Sequence, residues 1–191
     1  REALHCLPRN NEFLSAMAYL RIRQERYDEA LTLCEQGTPN HPLILFYKAL
    51  IASATGNPEL ALEIYESGGG KLAKKYPMST YYRGNLLQQK GEIREALLAY
   101  SQAIHFNPKL AIAHNNRAYQ LFKLGEYTQA EIDVRQSLDI DPENGPAWLT
   151  LAVILLQAEE AFYAEALEAG RKALSLGLPL EEIVSSLGRP L

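Results

Sequence analysis

Between residues 111 and 124 apolar and polar positions recur with the period of an α-helix. Ile112, Asn115, Asn116, Tyr119 and Lys123 stand at i, i+3, i+4, i+7 and i+11 and share one stripe. His114, Ala118 and Leu121 form a second, more apolar stripe suited to packing against another helix. A helix patterned in this way commits one face to a core and offers the other. The offered face has a cost, because asparagine competes for nearby backbone hydrogen bonds and is a poor interior helix former. Near the C-terminus Leu180, Ile183, Val184 and Leu187 also fall on one helical face, which predicts a capping helix.

The helical pattern repeats. KGEIREALLAYSQAIHFNP at 90–108 and LGEYTQAEIDVRQSLDIDP at 124–142 align at an offset of 34 residues. Gly91 and Gly125, Ala96 and Ala130, and Pro108 and Pro142 recur in order at that offset. Proline ends a helix, glycine permits a tight turn, and alanine lets neighbouring helices approach. Residues 77–110 and 111–144 are read as full repeats. A third, 145–178, opens with Asn144 as N-cap and Pro146 in the first turn, and carries two extra residues near Glu159–Ala161. Upstream, YDEAL at Tyr27–Leu31 and NPELAL at Asn57–Leu62 mark looser units, 11–41 and 42–76, with Gly37 and Gly68 in small-residue slots. REALHCLP at 1–8 reads as the end of one more helix. The expected organisation is thus a partial helix over 1–10, two irregular repeats over 11–76, three repeats over 77–178, and a cap and tail over 179–191.

On these glycines, alanines and prolines the chain resembles the tetratricopeptide repeat family. The resemblance implies an all-α fold, a right-handed superhelical solenoid of antiparallel helix pairs, A and B, closed by the C-terminal capping helix. It also implies that the offered stripe of each helix A lines a concave groove. Those slots hold Ser15, Ala16, Tyr19 and Arg23 in 11–41, and Leu43, Phe46, Tyr47, Leu50 and Ala54 in 42–76. In 77–110 they hold Met78, Tyr81, Tyr82, Asn85 and Gln89, and in 145–178 Leu149, Thr150, Val153 and Gln157.

A groove rich in aromatic and amide groups suits an extended peptide. Asparagine amides match backbone CO and NH groups, and tyrosine supplies apolar contact with a polar tip. The expected peptide-binding residues are Asn85, Asn115, Asn116, Tyr81, Tyr82, Tyr119, Phe46, Tyr47, Gln89 and Lys123. Some members of the family grip an acidic chaperone C-terminus with two lysines, two asparagines and an arginine. Asn85 and Asn116 match the asparagine slots, but Tyr81, Pro146 and Thr150 stand where the charges belong. Arg83 and Arg117 occupy a slot where the family prefers leucine. Each either reaches the groove edge or pairs with an acid within the chain.

Composition narrows the remaining classes. The chain has 191 residues, 47% hydrophobic and 22% charged, enough to bury a core. A net charge of −4 argues against nucleic acid as partner. No apolar run is long enough for a membrane span, and the first residues lack a signal peptide's apolar stretch. Cys6 and Cys34 fall at apolar-periodic positions and read as small buried hydrophobes; the compartment stays open, with the cytoplasm favoured. SGGGKLAKKYP at Ser67–Pro77 superficially suggests a phosphate loop. It has Tyr65 where the first glycine is needed and Leu72 after the lysine, so it reads as an early helix end and a joint between lobes. His5, His41, His105 and His114 share no metal-ligand spacing, and no nucleophile motif or cofactor signature is present. The expectation is a non-catalytic scaffold or adaptor for a protein or peptide partner. A self-associating arm of a homo-oligomer and a regulatory domain of a larger enzyme are the alternatives.

Overall fold

The computed structural model describes residues 10–157, 162–179 and 181. Ten helices follow one another among them, with no strand: α1 (Asn11–Arg23), α2 (Tyr27–Gln36), α3 (Pro42–Ala54), α4 (Pro58–Lys75) and α5 (Met78–Gln89), then α6 (Ile93–Phe106), α7 (Ala111–Lys123), α8 (Tyr127–Ile140), α9 (Gly145–Leu155) and α10 (Tyr163–Ser175). The expected all-α pairing of helices is present. The partial helix at 1–8, Cys6, the insertion at Glu159–Ala161 and the capping helix lie outside the described residues. None of the helices is long and apolar enough to cross a membrane.

Two compact units make up the chain, Arg1–Lys90 and Gly91–Leu191. Their boundary lies inside the repeat read as 77–110, away from the glycine run taken as a joint. In the first unit α1 pairs with α2 and α3 with α4, while α1 also meets α3 and α4 meets α5. In the second, α7 pairs with α8 and α9 with α10, and α6 packs on α7.

Local chemistry sets the helix ends. Asn10 Oδ1 accepts from the backbone N–H groups of Glu12 and Phe13 at 3.0 and 3.2 Å, and Asn57 and Asn144 cap α4 and α9 similarly. Pro58 and Pro146 stand in the first turns, where their missing N–H is harmless. The tight turn ahead of α8 places Gly125 at φ 79°, the left-handed region that glycine enters without strain. Alanines pack closely in the core of the second unit. Ala96, Ala103 and Ala130 are fully buried, as is Ala173. At Gly37 the family's alanine would not fit, because a Cβ there would lie 2.6 Å from Ile44 Cδ1.

The glycine run ends the first part of α4, as expected, because Pro58–Lys75 is two helical segments that meet at a kink at Gly69. Helical backbone continues to Lys75 across one non-helical residue, Gly69, at φ 51° and ψ −150°. The segment after the kink buries Leu72 and Ala73, which anchor it to the unit.

Candidate peptide-binding surface

In the first unit, α1, α3 and α5 present a continuous band of rings. Tyr19 lies 6.3 Å from Tyr47 between ring centroids, Tyr47 meets Phe46 edge-on at 5.3 Å, and Phe46 reaches Tyr82 at 6.0 Å. Tyr82 in turn meets Tyr81 edge-on at 5.4 Å. These separations are those of favourable aromatic pairs. The structure therefore brings together four of the expected residues, Phe46, Tyr47, Tyr81 and Tyr82, with Tyr19 beside them. The rings are half-buried, except for Tyr19, which is exposed. Burial pushes the Tyr47 and Tyr82 phenols above their ordinary range. Asn85 and Gln89 follow on α5 at successive turns, the first half-buried and the second exposed.

Tyr76 was missed by the sequence reading. It caps the C-terminal end of α4 and stacks on Phe46 at 6.1 Å with the rings 17° apart. The Lys75 ammonium lies 5.7 Å from its ring centroid. Only the continuation of α4 past Gly69 brings it there, and a stripe confined to A helices could not contain it. An aromatic just before Pro77 was the available signal.

The second candidate set lies on α7. Asn116 and Tyr119 are half-buried, and Lys123 is exposed with its ammonium 5.0 Å from the Tyr119 ring centroid. Asn115 departs from expectation. It is only 8% exposed, and its Oδ1 is buried without a hydrogen-bond partner. The physical reason is its register: Ala111, Asn115 and Ala118 form one buried row at i, i+4 and i+7, so the packed arc of α7 is wider than the apolar pattern suggested. His114 is buried as expected, and its Nε2–H donates to the Pro108 carbonyl at 3.0 Å.

Arg117 resolves into an internal pair. Its Nε and Nη2 donate to the Asp133 carboxylate at 2.6 and 2.8 Å, and its Nη1 donates to Ser101 Oγ at 3.1 Å. Arg83 has no such acid: the position 16 residues on, which holds Asp133 in the later repeat, holds Ala99. The buried Arg83 Nε makes no hydrogen bond. Thr150, in the clamp's arginine slot, is buried with its hydroxyl on the Pro146 carbonyl at 3.0 Å. Among the described residues no three His, Cys, Asp or Glu side chains gather as metal ligands.

Stacked helix pairs of about 34 residues, turned by glycine and closed by proline, define a helical repeat protein. Models of the tetratricopeptide repeat match residues 8–68, 84–125 and 111–144, together more than half of the chain, which therefore belongs to that family. Among curated relatives, the small glutamine-rich tetratricopeptide repeat-containing protein 2 of Mycosarcoma maydis is 31% identical over 101 residues, 53% of this chain and 28% of the relative. Hsp70-Hsp90 organizing protein 1 of Glycine max is 26% identical over 155 residues, 76% of this chain and 26% of the relative. The chain thus spans little more than a quarter of either relative's length. Solved structures share the fold: Pseudomonas aeruginosa PilF superposes with a TM-score of 0.81 at 14% identity, covering 92% of this chain and 80% of that one. MamA gives a TM-score of 0.69 at 18% identity, covering 95% and 97%.

Proposed function

We propose that this chain is a non-catalytic protein–protein interaction scaffold whose helices α1, α3 and α5 hold an extended segment of a partner protein. The observation that carries the reading is the band of rings across α1, α3 and α5, joined by Tyr76. Half-buried tyrosines give rigid apolar area with a polar tip, and each loses little side-chain entropy on binding. The same helices carry one acid, Glu12, so the band is open to a peptide backbone without competing carboxylates. Within the first unit the amides of Asn85 and Gln89 are of the kind that pairs with a main chain, each such bond being worth about 0.5–1.5 kcal/mol net. The second unit, taken by itself, carries Asn116, Tyr119 and Lys123 on α7, a smaller surface of similar chemistry. Membership of a family that includes a relative named for organizing two chaperones supports the scaffold class. The chaperone-tail clamp itself lacks its charges here.

The test is affinity capture from host lysate with three verified helical proteins: wild type, Phe46→Ala/Tyr82→Ala and Asn85→Ala/Asn116→Ala. The expected outcome is a partner held by wild type and lost by the aromatic variant, with weaker retention by the amide variant. Equal retention by all three would remove the peptide-groove reading.

A further inference from the structure

A recessed surface lies in the second unit, made by residues none of which belongs to the candidate peptide-binding set. It is a cleft of about 420 Å³ between α8, α9 and α10, within the size range of small-ligand and side-chain receptors. Its floor is apolar, formed by the buried Leu138, Leu151 and Ala169. One wall is Trp148, whose indole N–H donates to the Pro142 carbonyl at 2.8 Å and so fixes the ring. Arg135 is the cation of the lining, and it is already occupied. It reaches both Glu131 and Glu165 at 2.8 Å, spanning α8 and α10. The remaining carboxylates of the cleft, Asp139 and Glu168, have no ion pair or hydrogen bond among the described residues.

We propose that this cleft receives a lysine or arginine side chain presented by a partner protein. Three features point to one chemistry. The apolar floor matches the aliphatic stem of such a side chain. The held indole of Trp148 lines the cleft, and tryptophan is the aromatic best suited to a cation. Asp139 and Glu168 supply the charge that Arg135, neutralised by two other carboxylates, does not balance. An apolar ligand would cover these carboxylates without pairing them, and an anion would be repelled. The cleft is also pre-organised, since the Arg135 bridge and the Trp148 anchor hold its walls before anything binds.

Trp148 is the only tryptophan in the chain, so its emission reports on this cleft directly. The full chain is titrated with an acetylated, amidated peptide of alternating lysine and glycine, and with its glutamine–glycine counterpart. A saturable change with the lysine peptide alone is expected, weakening as salt is raised. The Asp139→Asn/Glu168→Gln variant, changed only at exposed positions, is expected to bind that peptide about ten-fold more weakly with its circular dichroism unchanged. The proposal is overturned if both peptides give the same response, or if the variant binds the lysine peptide as wild type does. It is equally overturned if wild type shows neither an emission change nor heat of binding.

Discussion

At the residue scale the pairing of Arg117 with Asp133 is the clearest departure from the family pattern. A leucine in that slot would be held by packing alone, whereas Arg117 is held by an acid, Asp133, which is almost wholly buried. Removing one partner of such a pair leaves the other charge stranded. Asp133→Ala is expected to lower stability by about 2–3 kcal/mol, below the full cost of breaking a buried pair because the arginine side chain is 22% exposed. Arg117→Leu/Asp133→Ala should recover most of that loss, since the preceding repeat, 77–110, already places alanine at the equivalent position, Ala99. Urea denaturation of both variants measures this. A double variant no more stable than Asp133→Ala would show that the pair itself, rather than the stranded charge, holds α7 to α8.

At the element scale, α4 decides the composition of the aromatic band. Gly69 adopts a backbone conformation open essentially to glycine alone, so Gly69→Ala is strained whatever space surrounds it. The expected loss is on the order of 1–3 kcal/mol by thermal unfolding, with the Phe46–Tyr76 stack loosened and partner capture reduced. The same helix shows how far the sequence could be read. Glycine, alanine and proline at an offset of 34 made the helix pairs legible, because turns, close approaches and helix ends each demand particular residue types. Periodicity also placed Phe46, Tyr47, Tyr81 and Tyr82 on one stripe. It did not show Tyr76, which follows the short second segment of α4, anchored beyond the Gly69 kink by the buried Leu72 and Ala73. Nor did it show that Asn115 is buried, because the width of a packed arc depends on neighbours contributed by other elements. The internal partner of Arg117 stood 16 residues away and became identifiable only in three dimensions.

At the scale of the whole molecule, the groups with raised proton affinity are concentrated in the first unit. Burial pushes the Cys34 thiol up to about 11, and the Tyr65, Tyr47 and Tyr82 phenols are also raised, chiefly by burial. All four precede Lys90, the last residue of that unit. An acid whose folded pKa lies above its unfolded value contributes stability that is complete below the unfolded pKa and disappears as pH rises through the folded one. The window here opens near pH 9, where an unfolded thiol ionises, and extends to about 11 for Cys34. From Cys34 alone the loss by pH 10.5 is on the order of 1–2 kcal/mol, and the phenols add to it above pH 10. The expected result is a fall in the urea midpoint of the circular dichroism signal between pH 8 and pH 10.5. The midpoint read from Trp148, which sits in the second unit, should fall less. Cys34→Ala, though less stable at neutral pH for want of a buried sulfur, should show a shallower alkaline decline. If the two midpoints fall in parallel, the units unfold as one cooperative body; a Cys34→Ala decline as steep as wild type would remove the thiol as its cause.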